Sequence, residues 1–230
     1  MEIRMDNDVA VTALTVLPSK GYNETFGEIN IYKHMKRILD IIIASIALVI
    51  LSPIFLIIAI LIKLESPGPV FFGHKRVGKN GKEFKLWKFR SMVVNAEELI
   101  KTFTPEQMKE FKENFKLEND PRITKIGKIL RKTSLDELPQ LINIIKGDLS
   151  IIGPRPVIGE ELNKYRNNKN KFLSVTPGLT GYWAANGRSN TTYQQRMMME
   201  LYYVDNISLE LDIKIFFKTI LSVVKKEGAM

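Results

Sequence analysis

The sequence contains no cysteine and only two histidines, His34 and His74. The absence of cysteine excludes a disulfide framework and any metal site with thiolate ligands, and it is typical of a reducing compartment. Two histidines leave little material for a zinc site or for a Ser-His catalytic triad. A P-loop and a dinucleotide-binding fingerprint are also missing. Any catalytic chemistry is therefore expected from carboxylates and cations.

The charge balance is strongly basic. The 230 residues include 34 Lys and Arg against 25 Asp and Glu, which gives a formal net charge of +9 at pH 7. Such a charge predicts an anionic partner, whether nucleic acid, lipid headgroups or a phosphorylated substrate. Apolar residues make up 45% and charged residues 26% of the chain, which predicts a folded core rather than disorder. The length suits one domain, or a small domain with a membrane anchor.

The longest apolar run extends from Ile41 to Ile62, about 22 residues without a charge, which is long enough to span the hydrocarbon core of a bilayer. It begins too late and runs too long for a secretory signal. Ser52-Pro53 lies in its middle, and the proline predicts a kink. Basic residues flank both sides: Lys33, Lys36 and Arg37 before the run, and Lys63, Lys75, Arg76, Lys79, Lys82, Lys85, Lys88 and Arg90 after it.

These flanks leave two paths open for the anchor. Basic flanks favour the cytoplasmic side, so a re-entrant hairpin that breaks near Ser52-Pro53 and returns to the cytoplasm satisfies both. A kinked spanning helix is equally compatible, because a long C-terminal domain weakens the rule. We predict an N-terminal extension over residues 1–32, the anchor over residues 33–66 and a catalytic domain over residues 67–230. In the extension, Val9, Val11 and Ala13 fit either a weak strand or a frayed terminus.

The pattern after the anchor predicts one helix-rich α/β domain. Short strands are expected at residues 70–72 and 84–87, around a turn at Lys79-Asn80-Gly81. A charged helical stretch over residues 97–117 is broken at Thr104-Pro105. Amphipathic helices follow at residues 122–130 and 138–146, the second stopped by Gly147, and again over residues 213–224. Basic amphipathic helices either lie at a membrane surface or expose one face to solvent.

The best catalytic candidate is the acidic pair Asp136-Glu137. Ser134 and Glu137 have the spacing of a helix capping box, and acidic residues are favoured in a first helical turn. On the residues alone, capping is the stronger interpretation. The two roles are compatible, because a helix N-terminus also lowers the pKa of a carboxylate and attracts phosphate. An ionised Asp136 there could serve as a nucleophile or as a metal ligand.

Two loops supply candidate phosphate ligands. In Gly153-Pro154-Arg155-Pro156, the prolines hold the backbone around Arg155 extended, which suits a guanidinium that binds phosphate in a bidentate manner. A lone solvated arginine on a stiff loop is the alternative. The glycines of residues 176–181 permit close approach of a ligand, and Asn186-Gly187-Arg188 adds another cation. Glycine turns of this kind are common, so this second loop is weak evidence on its own.

Taken in order, these features resemble the monotopic phosphoglycosyl transferases, the bacterial sugar transferase family. The resemblance covers roughly Tyr32 to Gly228. It rests on FKLWKFRSM at residues 84–92, SLDELPQL at 134–141 with KGDLS at 146–150, and IGPRP at 152–156, supported by Asn186-Gly187-Arg188. Several matches in order, behind an anchor that contains Ser-Pro, identify the family far better than any one of them.

The resemblance implies an activity and a location. Family members transfer a sugar phosphate from a UDP-sugar to undecaprenyl phosphate, release UMP and use Mg²⁺, at the first membrane step of capsule, exopolysaccharide or other glycoconjugate synthesis. Their re-entrant helix is broken at a Ser-Pro that matches Ser52-Pro53, which favours the hairpin over the span. The chain is accordingly expected on the cytoplasmic face of the bacterial inner membrane.

The resemblance also implies roles for individual residues. Asp136 matches the nucleophile of the family's Asp-Glu dyad, and it is also the expected metal ligand, with Glu137 as its partner. The basic residues that bind substrate match Lys88, Arg131, Arg155 and Arg188. Glu200 stands where the family usually has Asp before a Tyr-Tyr pair, and it is expected at the substrate although its side chain is longer by one methylene.

The acceptor chemistry favours Asp136 as a nucleophile. A lipid phosphate monoester is largely ionised at pH 7, since its second pKa is about 6, so it needs no strong base. Capture of the phosphosugar on Asp136 would let UMP leave before the lipid binds, which predicts ping-pong kinetics. Two other classes remain as alternatives. A membrane-tethered nucleic-acid-binding protein would need a recognisable module, which is missing, and a non-catalytic interfacial scaffold would bind membranes without releasing UMP.

The expected partners follow from this interpretation. They are the UDP-sugar donor, undecaprenyl phosphate and membrane lipids, without nucleic acid. Self-association into a homo-oligomer is compatible with the sequence.

Overall fold

The computed structural model describes residues 26–114, 117, 119–187 and 191–224. It begins with one long helix, α1 (Phe26–Glu65), which contains the apolar run. Residues Ile31–Glu65 are long and apolar enough to cross a membrane, judged by length and composition. The helix starts before residue 33, where the anchor was predicted to begin. Val9, Val11 and Ala13 lie outside the described residues.

Pro53 lies inside α1, and the helix continues through it. Proline has no backbone N–H, so the carbonyl four residues earlier, that of Val49, loses its helical donor. The hydroxyl of Ser52 donates to this carbonyl at 2.8 Å. The serine therefore replaces the hydrogen bond that the proline removes, and the Ser-Pro pair does not end the helix. The re-entrant path of the helix stays a prediction.

Short elements form the rest of the chain. After α1 come β1 (Phe71–Val77), β2 (Glu83–Phe89), α2 (Ala96–Leu99), α3 (Pro105–Asn114), α4 (Lys125–Thr133), α5 (Gln140–Lys146), β3 (Ser150–Ile152), α6 (Gly159–Leu162), α7 (Lys169–Leu173), β4 (Gly178–Thr180), α8 (Tyr182–Asn186), α9 (Tyr193–Asp205) and α10 (Leu209–Val224). Turns of 3-10 helix occur at Lys79–Gly81, Ile100–Thr102, Leu135–Glu137 and Asn163–Asn168. The predicted helix-rich α/β class is confirmed.

Two small sheets organise the domain. Strands β1 and β2 form an antiparallel hairpin in which Phe71 pairs with Phe89. Its predicted turn is present, with Asn80 in the left-handed region at φ 55°. Strands β3 and β4 pair in parallel, with Ser150 opposite Gly178. The predicted stop at Gly147 is also confirmed, because this residue caps α5 with φ 90°.

The apolar helix α1 packs along the domain rather than standing apart from it. Its first half places Ala44 against Phe84 and Leu86 of β2 and against Ile144 of α5. Its second half places Ile58 and Ile62 against Phe89 of β2 and Leu130 of α4. The opposite face is exposed and apolar, as at Val49, Ile50, Leu56, Ile57 and Leu64. The helix therefore contributes one face to the core and presents the other outward.

Hydrogen bonds fix both ends of the apolar run of α1 to the same domain. Near its beginning, Arg37 donates to the carbonyl of Ile145 at 2.8 Å, and Asp40 accepts from the backbone N–H of Ile151 at 2.9 Å. At its end, the carboxylate of Glu65 accepts from the backbone N–H groups of Lys125 at 2.6 Å and Ile126 at 3.0 Å. These N–H groups belong to the first turn of α4, which carries no intrahelical partner for them.

The predicted apolar face of residues 213–224 lies on helix α10. Ile215 is buried, whereas the apolar side chains of Ile213, Phe217, Ile220 and Leu221 are exposed. Its buried Asp212 accepts hydrogen bonds from the hydroxyls of Tyr32 and Tyr203, each at 2.7 Å. These bonds hold α10 beside the beginning of α1.

Candidate active site

Asp136 and Glu137 lie in the short 3-10 turn that follows α4. Ser134 caps α4 in the left-handed conformation, at φ 57° and ψ 16°, and its side chain makes no capping hydrogen bond. The predicted capping box is therefore wrong, because Ser134 ends one helix and the next, α5, begins only at Gln140 after Pro139. Asp136 and Glu137 therefore do not cap helix α5.

Lys88 joins the two carboxylates. Its ammonium lies 2.6 Å from Glu137 Oε1 and 3.6 Å from Asp136 Oδ2. A buried amide fixes this geometry: Asn143 of α5 accepts from the backbone N–H of Trp87 at 2.9 Å and donates to the carbonyl of Lys85 at 2.8 Å. Asn143 thereby joins β2 to α5, and this places Lys88 beside the turn that carries Asp136 and Glu137. The sequence analysis did not single out Asn143.

Asp136 is buried, with 7% of its surface exposed. Burial raises the pKa of its carboxyl above the usual range, and the nearby Lys88 ammonium opposes this shift, as does Arg131 to a smaller extent. The lowering of this pKa that the sequence analysis expected is outweighed, because desolvation is the larger effect. Arg131 is oriented by a hydrogen bond from its Nε to Ser91 Oγ at 2.8 Å.

The Pro-Arg-Pro segment is held through its backbone. The carbonyl of Pro154 accepts from the N–H of Gly178 at 2.9 Å, and the carbonyl of Val157 accepts from the N–H of Val77 at 2.8 Å. The N–H of Arg155 donates to Glu200 Oε1 at 3.1 Å. The side chain of Arg155 is exposed, with its guanidinium carbon 5.8 Å from the centre of the Trp183 ring. Hydrogen bonds therefore fix the backbone of this segment, whereas the guanidinium of Arg155 is exposed.

Glu200 is almost completely buried, with 1% of its surface exposed. Burial raises the pKa of its carboxyl to about 7, and the hydrogen bond from Arg155 and the charges of Arg196 and Arg155 oppose the shift. One oxygen holds the Arg155 backbone. The other, Oε2, has no hydrogen-bond partner in the part of the chain that the structure describes.

These residues meet in one cleft of about 470 Å³, a volume that includes its opening to solvent. Its polar and aromatic lining comprises Arg76, Lys88, Glu137, Gln140, Arg155, Thr180, Trp183 and Glu200. Asp136 and Arg131 do not line the cleft, but Asp136 lies 3.6 Å from the ammonium of Lys88, which does. Arg188 lies outside the described residues. The structure thus brings Lys88, Glu137, Arg155 and Glu200 together around one space, with Asp136 at its edge.

Sequence reasoning missed four residues around this cleft. Arg76 donates to the carbonyl of Pro156 at 3.3 Å and pairs with Glu161 at 3.4 Å. Glu161 also pairs with Arg196 at 3.4 Å, and the Arg196 guanidinium lies 4.9 Å from the centre of the Trp183 ring. Trp183 offered a signal, because it is one of two tryptophans and closely follows the glycines of residues 176–181. Arg76, Glu161 and Arg196 offered none, since they are distant in sequence.

Asp136 and Glu137 are the carboxylates that would hold a magnesium ion shared with a substrate. Within the described ranges, no group of three or more His, Cys, Asp or Glu residues could hold a metal ion. Mg²⁺ is usually held by one or two carboxylates together with waters and substrate phosphates. Asp136 and Glu137 supply two carboxylates at the edge of the cleft.

Comparison with known proteins places the chain among transferases. Residues 31–226 match the family model described as bacterial sugar transferase. The chain is 46% identical to an uncharacterized sugar transferase of Haemophilus influenzae over 198 residues, which cover 85% of this chain and 42% of that protein. It is 45% identical to the exopolysaccharide production protein ExoY of Rhizobium meliloti, over 84% of this chain and 87% of that protein.

A third relative carries a more specific name. The undecaprenyl-phosphate galactose phosphotransferase of Salmonella typhimurium is 42% identical over 200 residues, which cover 86% of this chain and 42% of that protein. The chain thus spans less than half the length of two of these three relatives and most of the third. The apolar helix and these relatives together indicate association with a membrane. The predicted enzyme class, a transferase, is confirmed, and the chain belongs to the bacterial sugar transferase family.

Proposed function

We propose that this protein transfers a sugar 1-phosphate from a UDP-sugar to undecaprenyl phosphate and releases UMP. The observation that carries the proposal is a buried carboxylate, Asp136, held beside Lys88 and Glu137 at the edge of a cleft rimmed by arginines. Relatives at 42% and 38% identity are named for undecaprenyl-phosphate galactose phosphotransferase and UDP-glucose:undecaprenyl-phosphate glucose-1-phosphate transferase activities. Cations around a diphosphate reduce the repulsion that a carboxylate meets as it approaches.

The reaction then has two steps. A carboxylate oxygen of Asp136 attacks the phosphorus that carries the sugar, the bond from this phosphorus to the bridging oxygen breaks, and UMP leaves with the electron pair. An oxygen of the lipid phosphate next attacks the same phosphorus and releases the Asp136 carboxylate. Lys88 lies close enough to hold phosphate oxygens in both steps. Mg²⁺ held by Asp136 and Glu137 would neutralise part of the charge of the diphosphate.

A panel of UDP-sugars with undecaprenyl phosphate tests this function directly. Release of UMP that depends on both the lipid and one UDP-sugar is expected, with ping-pong kinetics. Membrane binding without release of UMP from any sugar nucleotide would instead favour an interfacial scaffold.

We further propose that α1 enters the membrane and returns, with the domain on the cytoplasmic face of the inner membrane. A helix that crossed the bilayer would carry one end about 30 Å away from a domain on one side. In this protein the residues that flank the apolar run of α1, Asp40 and Glu65, both bond to that domain. Basic residues at both ends support the same face.

Cysteine labelling tests this topology, and the lack of native cysteine makes each probe unique. Single variants Lys33→Cys and Lys79→Cys should both resist a membrane-impermeant thiol reagent in intact cells. Both should react after permeabilisation, which controls for accessibility. Labelling of only one of them in intact cells would mean that α1 spans the bilayer.

Arg155→Lys should impair turnover despite the retained charge. We expect kcat/KM to fall roughly tenfold or more, because an ammonium lacks the planar fork that binds two phosphate oxygens. Stability should be unchanged, since the bonds of this segment use its backbone. Arg166→Lys, an exposed change outside the cleft lining, is the matched control. Equal activity of the two variants would leave Arg155 as a solvated loop residue.

A further inference from the structure

Helix α6 carries two neighbouring glutamates with different surroundings. Glu160 is exposed, whereas Glu161 is half-buried and pairs with two arginines, Arg76 and Arg196. Neither glutamate lies in the motifs on which the family resemblance rests, and the two chemical steps described above involve neither of them. A comparison of the two residues therefore isolates what the contacts of Glu161 do.

The carboxylate of Glu161 joins three elements. Its Oε1 lies 3.4 Å from Nη1 of Arg196 in α9, and its Oε2 lies 3.4 Å from Nη1 of Arg76 in β1. Oε2 also accepts from the backbone N–H of Ile158 at 3.1 Å, just before α6 begins. The side chains of both arginines are largely buried. Because water screens charges less at such places, these ion pairs are stronger than pairs at an open surface.

Glu161 offsets a local excess of positive charge. Burial lowers the pKa of the Arg76 guanidinium to about 10, the charges of Arg155 and Arg196 add to this effect, and the charge of Glu161 opposes it. Like charges that are poorly solvated repel one another strongly. Without the carboxylate between them, Arg76 and Arg196 would lose the group that holds their guanidiniums together.

Both arginines act on the lining of the cleft. Arg76 is part of that lining, and its Nη1 also donates to the carbonyl of Pro156 at 3.3 Å. The guanidinium of Arg196 lies 4.9 Å from the centre of the Trp183 ring, which is within the range of a cation–π interaction. Trp183 lines the cleft. Glu161 is therefore connected to the cleft by two routes, one through Arg76 and one through Arg196 and Trp183.

We propose that Glu161 is a positioning residue for the transfer reaction, which fixes the Arg76 guanidinium and, through Arg196, the Trp183 ring. Its effect on turnover rests on the proposed function, whereas the positions of the two side chains do not. A purely structural role would be to cap α6 through Ile158. Glutamine also accepts from a backbone N–H at this position of a helix, so Glu161→Gln removes the charge and retains the cap.

Steady-state kinetics of Glu161→Gln and Glu160→Gln test this role. Each variant removes one negative charge from the first turn of α6, so a difference between them comes from the contacts of Glu161. We expect kcat/KM for the UDP-sugar to fall roughly tenfold in Glu161→Gln, mainly through KM, because displaced binding groups weaken ground state and transition state alike. Glu160→Gln should match the parent chain. Equal kinetics of the two variants would overturn the proposal.

A double variant tests the route through Arg76. In an Arg76→Gln background, Glu161→Gln should lower kcat/KM much less than it does in the parent chain, because the guanidinium that it positions is already gone. Two losses that multiply in full would refute this route.

Tryptophan fluorescence tests the route through Trp183 without turnover. The chain has two tryptophans, so Trp87→Phe leaves Trp183 as the only one. In that background, Glu161→Gln should shift the emission maximum and increase quenching by acrylamide, because Arg196 no longer stays over the ring. Glu160→Gln should do neither, and identical spectra and quenching of the two variants would refute this route. The signal needs no substrate, so a failure of the proposed function would be seen separately, as a parent chain that releases no UMP.

Discussion

Asp136→Asn is expected to abolish turnover while the protein remains folded. We expect the rate to fall by roughly 10⁴-fold or more, because an amide cannot form the acyl phosphate that the proposed mechanism requires. The melting temperature should change little or rise, since burial disfavours the charged carboxylate that the substitution removes. Release of UMP and thermal unfolding, measured on the same preparation, check the two parts.

A labelling experiment distinguishes Asp136 acting as a nucleophile from Asp136 acting as a general base. The parent chain incubated with labelled UDP-sugar and no lipid should carry the label on Asp136. Asp205→Asn is the matched control, because Asp205 is exposed and pairs with Lys171 away from the cleft, and it should retain full activity. Normal turnover in Asp136→Asn, or label on another residue, would refute the covalent mechanism and leave the family membership untouched.

Gly178→Ala is expected to cause a large loss of stability. A β-carbon at this position would lie 2.1 Å from the backbone nitrogen of Gly153 and 2.4 Å from the carbonyl oxygen of Thr180. Both atoms belong to backbone that pairs β3 with β4, so neither can move without breaking the sheet. We expect the free energy of unfolding to fall by about 3 kcal/mol or more. This corresponds to a melting temperature lower by roughly 6–12 °C.

Gly159→Ala provides the matched control. A β-carbon there would meet nothing within 4 Å, and the residue begins α6. Alanine is favoured over glycine in helices, so stability should stay the same or rise by about 0.5 kcal/mol. Equal melting temperatures for the two variants would mean that β3 and β4 do not approach as closely as described.

Local features were predictable from the sequence because their causes are local. The turn at Asn80-Gly81 and the end of α5 at Gly147 depend on residues that tolerate positive φ, and both are present. The capping box failed for a local reason too. Its spacing is correct, but Ser134 adopts the left-handed conformation that ends α4, and Pro139 delays the next helix.

The residues in and around the cleft were only half predictable, because some lie in local motifs and others come from elements distant in sequence. Lys88, Asp136 and Arg155 lie in motifs that resemble a known family. Arg76, Glu161 and Arg196 come from β1, α6 and α9, and their contacts depend on tertiary packing that no short pattern encodes. The family resemblance predicted that Glu200 lies at the substrate. Only the fold showed that its Oε1 accepts a hydrogen bond from the backbone N–H of Arg155.

The bonds at both ends of the apolar run of α1 have a mechanical consequence. Because Asp40 and Glu65 tie the apolar helix to β3 and α4 of the domain, the depth of Asp136 relative to the apolar residues of α1 is a fixed length of the molecule. A thinner or thicker bilayer would therefore shift the height of the whole cleft instead of tilting the helix alone. A lipid-bound reactant would meet the site by diffusing in two dimensions, at a level that the helix sets.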